Sequence, residues 1–211
     1  MVNHRQDGQW KELLKDTRDH TAARDADADL MARYAAGDAA AARLLAARLS
    51  PRAYAHAYRV LGDAAEAEDV TQEALLRLWK QAAHWDEGRA QAATWLYRVV
   101  ANLCTDKLRQ RRTEPLDDVN TPADPAPSAA ARMQDGARHD ALQAALLRLP
   151  ERQRQAVILR HIEGLANAEI AEILDVGVEA VESLTARGKK ALTADLAAQR
   201  DALGYQDDTA G

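Results

Sequence analysis

Asn167–Lys190 reads NAEIAEILDVGVEAVESLTARGKK, and the fold is decided there. Ile170, Ala171 and Leu174 recur at helical spacing, as do Val181 and Leu184 beyond them. Asp175-Val176-Gly177 separates the two runs as a tight break, and Asn167 stands where it can cap the first, Ala168 to Leu174. A short helix, a brief turn and a longer helix from Val178 with one shared apolar face form a helix-turn-helix pattern, with an αα-hairpin that has no DNA role as the alternative. Helical-wheel geometry turns Glu179, Glu182, Ser183, Ala186, Arg187 and Lys190 away from that face. One step upstream, Leu149-Pro150-Glu151 opens a helix with Pro at its first position, and Glu163-Gly164 closes it. Together these segments define a helical unit over 140–198, followed by a tail over 199–211.

Further upstream the helical pattern breaks. Residues 113–139 hold Pro115, Pro122, Pro125 and Pro127 in a polar stretch, with Glu114, Asp117, Asp118, Asp124 and Asp135 against Arg132 and Arg138. This reads as a flexible linker, about 30 Å long on average and about 90 Å fully extended. Before it lies a second helical unit, 25–112. Asp27 to Leu49 is a helical run stopped by Ser50-Pro51, and Tyr54 to Leu61 is a short helix ended by Gly62. Asp63 with Glu66 forms a capping box that opens a helix from Ala64 to about Ala83, and Thr94 can cap a long helix from Trp95 to Arg112. The fold class expected is therefore all-α: two small helical domains joined by a flexible linker. Residues 1–24 form an N-terminal extension, expected to be disordered.

Two faces in the first unit are not explained by core packing. The helix from Ala64 buries Ala67, Val70, Ala74 and Leu78 and gathers Asp69, Gln72, Glu73, Leu76 and Lys80 opposite. Such a face is either solvated or docks a partner, and an apolar Leu76 among carboxylates is typical of the second. The helix from Trp95 puts Leu96, Val99, Val100 and Leu103 on one side. Arg98, Asn102, Thr105, Arg109 and Arg112 lie on the other. Forked arginine donors suit phosphates, and Asn and Thr reach bases; a basic helix end favoured by the helix dipole gives the same composition. His84, Trp85 and Tyr97 can stack on unpaired bases, although Trp79, Trp85 and Trp95 also suit a core poor in aromatics.

Composition limits the function classes. The 211 residues carry 28 Lys+Arg against 33 Asp+Glu, a net charge of −5, yet Lys107, Arg109, Arg111 and Arg112 form a local basic cluster. One cysteine, Cys104, excludes a disulfide framework and a cysteine zinc site. The six histidines are scattered, no glycine loop for phosphate and no nucleophile–base grouping is present, and His161 and Cys104 read as packing residues. No catalytic residue, metal or cofactor is expected. No apolar run nears the roughly 20 residues of a membrane span, and the polar start of the chain is not a signal peptide. A cytoplasmic, non-enzymatic protein is expected.

The segments Asp63–Trp79 (DAAEAEDVTQEALLRLW) and Thr94–Asp106 (TWLYRVVANLCTD) resemble region 2 of the sigma-70 family. Leu149–Arg154 (LPERQR), Glu163-Gly164-Leu165 and Glu169–Leu174 (EIAEIL) resemble region 4. With only these two regions and a linker, the chain is similar to extracytoplasmic-function (ECF) bacterial sigma factors. The resemblance implies that Glu68, Asp69, Gln72, Glu73, Leu76 and Lys80 dock on the β′ clamp helices of core RNA polymerase, with the β flap as a further contact. It implies that Trp85, Arg98, Asn102, Thr105, Arg109 and Arg112 open the −10 promoter element. Glu179, Ala180, Glu182, Ser183, Ala186, Arg187 and Lys190 then meet the −35 element. An anti-sigma factor is the implied regulator. The sequence departs from the family where Ala180, Glu182 and Leu184 replace the usual Thr, Lys and Arg, and where Asp175 takes a usual Gly site. The two glutamates either weaken −35 contact or accept from a cytosine amino group. The rival is a sigma-like adaptor that binds polymerase or a regulator without reading a −35 element.

Overall fold

Residues 20–82, 85, 91–113 and 130–198 are described by a computed structural model, and every regular element among them is helical. The linker over 114–129, residues 1–19, His84 and the tail from 199 lie outside the described residues.

Helices α1 (His20–Ala35) and α2 (Ala39–Leu61) correct the expected boundary in the first unit. The chain breaks at Gly37, which takes φ +95°, and not at Ser50-Pro51. Asp38 caps α2, its carboxylate accepting from the Ala40 and Ala41 N–H groups at 2.8 and 3.3 Å. Arg33 clamps the same carboxylate at 2.7 Å and holds it below the usual carboxylate range. Helix α2 runs straight through Pro51. Both Pro51 and Ala47, whose carbonyl loses its helical donor, face solvent, so water can take the missing place.

Gly62 ends α2 at φ +71°, its N–H donating to Tyr58 O at 2.8 Å. Helix α3 (Ala64–Ala82) follows, with Asp63 Oδ1 accepting from the Glu66 N–H at 2.9 Å, and it buries Ala67, Val70, Ala74 and Leu78 as its periodicity requires. Helix α4 (Ala92–Thr113) starts before Thr94, which is therefore a buried first-turn residue and not the cap. Met31, Leu45, Leu49, Val60, Val70, Leu78, Leu96 and Val100 fill the space among these four helices.

Helix α5 (Ala130–Arg148) begins inside the stretch expected to be linker. Pro150 takes the cap position of α6 (Glu151–Val157), whose chain continues as a π-helical turn, Ile158–Ile162. The Glu163 N–H closes that turn on Ile158 O at 2.9 Å, and Gly164 reverses the chain at φ +71°. Asn167 is the first residue of α7 (Asn167–Leu174) and not its cap; the Glu169 carboxylate accepts from the Ala166 N–H at 2.8 Å instead. Asp175 adopts the left-handed conformation, φ +52°, before α8 (Val178–Ala198).

The two units also pack on each other. Ala145, Leu146, Leu149, Val157 and Ile158 belong to the same buried cluster as the α1–α4 core. A second cluster sets Tyr97 and Ala101 of α4 against Leu159, Leu165, Ile170, Ala171 and Ile173. The α4 side that carries the basic stripe thus borders the helix-turn-helix unit directly.

Candidate nucleic-acid interface

Helix α4 positions the basic stripe because Leu96, Val100 and Cys104 are buried on its other side. Arg98 and Asn102 are exposed, and no partner among the described residues engages either. Thr105 is half-buried, its Oγ1 accepting from Gln155 Nε2 of α6 at 3.0 Å. Arg109 is exposed and pairs with Asp106 of its own helix, and exposed Arg112 lies 3.6 Å from Glu151. Their basic neighbours are tied to α3 and the end of α2. Lys107 reaches Asp69 at 3.6 Å, and Arg111 joins Glu66 at 2.6 Å and the Leu61 carbonyl at 3.1 Å. Positive charge open to a ligand therefore concentrates at Arg98, Arg109 and Arg112.

Tyr97 is corrected from a base-stacking candidate to a buried residue. It is 3% exposed, its hydroxyl donates to Glu163, and burial with that carboxylate pushes its pKa up, so it remains a donor. Half-buried Trp85 packs edge-on against Trp95, ring centres 6.2 Å apart, and Trp79 against Tyr34.

On α3 the complementary face is open. Glu68, Asp69, Gln72, Leu76 and Lys80 are exposed, and Glu73 is half-exposed and pairs with Arg77 at 2.7 Å. Leu76 is 53% exposed, an apolar centre left without cover beside these carboxylates.

On α8 the outward residues are those the wheel predicts. Glu179, Ala180, Glu182, Ser183, Ala186, Arg187 and Lys190 are all exposed, while Val181 is buried and Leu184 half-buried. Asn167 Nδ2 approaches Glu182 at 3.5 Å, and Arg187 folds back on the Ser183 carbonyl at 3.2 Å. The outer face of α8 is acidic in its first turns and basic only from Arg187 on.

Groups of three or more potential metal ligands do not occur among the described residues. Burial pushes the Cys104 thiol up to about 12, which leaves it unreactive. Sequence reading missed Glu163, Arg154, Gln155 and Gln143, which join the two units. Glu163 registered as a helix end and, with Arg154, within the segments that resemble region 4, without a role in joining the units; no local pattern marks Gln155 or Gln143.

Comparison with known proteins gives these faces a context. The family model for sigma-70 region 2 matches residues 45–114, and that for sigma-70 region 4 matches residues 139–192. The chain is 30% identical over 154 residues to the ECF RNA polymerase sigma factor SigW of Bacillus subtilis, covering 68% of this chain and 82% of that protein. It is 32% identical over 169 residues to SigM of Mycobacterium tuberculosis, 79% of this chain and 82% of the relative. SigE of Mycolicibacterium smegmatis is 38% identical over 147 residues, 67% of this chain but only 56% of that longer relative. Among solved structures, CnrH in complex with the cytosolic domain of CnrY superposes with a TM-score of 0.61 at 28% identity, covering 82% of this chain and 98% of that one. RpoE of Bartonella quintana, in complex with the anti-sigma factor NepR, shares the fold at TM-score 0.61 and 21% identity, over 74% and 96% of the two chains. Two independent regions in the right order, on helices that leave the corresponding faces open, place the chain in the ECF group of sigma-70 RNA polymerase sigma factors, which bind core polymerase and direct promoter-specific initiation.

Proposed function

We propose that the three exposed faces divide the work of initiation. Glu68, Asp69, Gln72, Glu73, Leu76 and Lys80 dock on the β′ clamp helices of core RNA polymerase. Leu76 supplies the apolar anchor, and the carboxylates around it select the orientation. Trp85, Arg98, Asn102, Thr105, Arg109 and Arg112 meet the −10 element. Arginines neutralise phosphates there, and Asn102 offers an amide to a base edge once the strand is opened; extruding a base is favourable when it gains stacking and edge hydrogen bonds. Helix α8 meets the −35 element through Glu179, Ala180, Glu182, Ser183, Ala186, Arg187 and Lys190.

The chain acts by binding, in the cytoplasm, with no catalysis of its own. Among the described residues, no helix is long and apolar enough to cross a membrane. An anti-sigma factor is the regulator this reading expects. The observation that carries the proposal is the unpartnered Arg98–Asn102 pair on a helix whose opposite side is locked into the core. Mapping transcript starts after overexpression tests it: the affected start sites should share two short upstream elements. Starts that share no upstream sequence would contradict it, and a shared −10 element alone would favour the adaptor.

A further inference from the structure

The first two turns of α8 present Glu179, Ala180, Glu182 and Ser183 to solvent, and its cations follow only at Arg187, Lys189 and Lys190. Buried Val181, Gly188 and Leu192 fix the roll of the helix, so these carboxylates stay outside. A helix that only gripped phosphates would carry its cations from the start, because neutralising phosphates supplies most non-specific affinity. The N-terminal end of a recognition helix meets base edges instead. The two glutamates there differ. Glu179 stands on the first turn, where the positive end of the helix offsets its charge, and it has no partner among the described residues. Glu182 is tied to the other helix of the pair: Asn167 Nδ2, in the first turn of α7, lies 3.5 Å from its Oε1. Its Oε2 has no partner among the described residues.

We infer, on the promoter reading of α8 given above, that Glu182 determines specificity by accepting from the exocyclic amino group of a cytosine in the −35 element. The preferred promoter then carries a C·G pair, in one orientation, at the position that Glu182 meets. The chemistry of the major groove selects this base. Guanine offers acceptors at N7 and O6, thymine an acceptor at O4, adenine an acceptor beside a donor, and cytosine a donor alone at N4. A carboxylate has only acceptors to offer. It gains a charge-assisted hydrogen bond at cytosine and meets repulsion at guanine and thymine. At adenine it gains one contact while N7 repels its second oxygen. Asn167 on Oε1 leaves Oε2 for the base and removes some of the rotamer freedom that binding would otherwise cost. A carboxylate among phosphates lowers affinity on every sequence, and Arg187 and Lys190 further along the same face offset that on the backbone. The net effect is discrimination between bases more than tighter binding.

Base selection by holoenzyme built on the full chain tests this. Promoter fragments keep the −10 element and spacer of a promoter found by start-site mapping, the −35 element is randomised, and the bound fraction is sequenced. The wild-type chain should enrich cytosine over guanine by about tenfold at one −35 position. Glu182→Gln puts a donor and an acceptor in the same place and should move the preference there to adenine, which an amide meets with both. Glu182→Ala should flatten that position and leave the other −35 positions as they were. Glu182 is exposed, so both variants should keep wild-type helicity by circular dichroism. If both select the same −35 sequence as the wild type, however tightly they bind, Glu182 only repels DNA: the inference is overturned while the −35 reading of α8 stands. If the wild-type chain itself selects no −35 sequence, the reading of α8 falls and the inference with it.

Discussion

A Cβ added at Gly188 would lie 2.5 Å from Val157 Cγ2 and 3.2 Å from the Gln153 carbonyl oxygen. Glycine inside a helix ordinarily costs about 1 kcal/mol relative to alanine. Here the close crossing of α8 over α6 reverses the sign, and backbone cannot yield as a flexible side chain does. Gly188→Ala should destabilise the protein by about 1–3 kcal/mol in chemical denaturation, where propensity alone predicts a gain. His56 makes a second residue-scale case. It is fully buried, edge-on to Tyr97 at 5.5 Å, and its ring nitrogens have no partner among the described residues. Burial, and then the charge of Arg59, hold it down to about 3. The folded chain thus refuses a proton that the unfolded chain accepts below its ordinary value. Stability is complete above about pH 6.5 and is lost as pH falls toward 3, by about 2 kcal/mol at pH 5 from this group alone. Half-buried His161, lowered by burial and by Lys189 and Arg160, adds in the same direction. Melting at pH 7 and pH 5 should show the loss, and His56→Leu should flatten it. An equal pH slope in the variant would remove His56 from the account.

At the scale of the element, α3 was legible almost throughout: Asp63 caps it, Ala67, Val70, Ala74 and Leu78 are buried, and the opposite face is open. The boundary between α1 and α2 was not. In an alanine-rich run with weak periodicity, Pro51 was the louder signal, yet a proline facing water is tolerated while Gly37 and Asp38 make the actual turn. The caps of α4 and α7 fall one or more residues earlier than expected: Thr94 is a good capping residue but Ala92 and Ala93 are already helical, and Asn167 opens α7 after an extended Ala166 that takes the cap position. The open face of α3 carries its own prediction. Asp69→Lys with Glu73→Lys should weaken capture of core polymerase by about tenfold or more, as charge reversal at an interface does. The exposed Glu73–Arg77 and Asp69–Lys107 pairs contribute little, so stability should change by less than about 1 kcal/mol. Unchanged affinity for core polymerase would take this face out of the account.

For the whole molecule, two helical units were readable in the sequence, and their mutual packing was not. Periodicity reports which side of a helix is buried but not against what. Arg154, Gln155 and Glu163 belong to polar residue types ordinarily left at the surface, and the chain buries them where partners 50 to 104 residues away, joined for Arg154 by the nearby Leu147 and Leu149 carbonyls, supply the hydrogen bonds. The exposed sites followed from local pattern alone: Arg98 and Asn102 stay open because the apolar side of α4 is fixed by the core beneath it. That pair also carries the central claim. Open-complex formation by holoenzyme, read as reactivity of unpaired thymines at a promoter found by start-site mapping, tests it most directly. Arg98→Ala with Asn102→Ala should reduce promoter opening by about tenfold or more while core polymerase binding stays at the wild-type level. Promoter opening at the wild-type rate in that variant would contradict it.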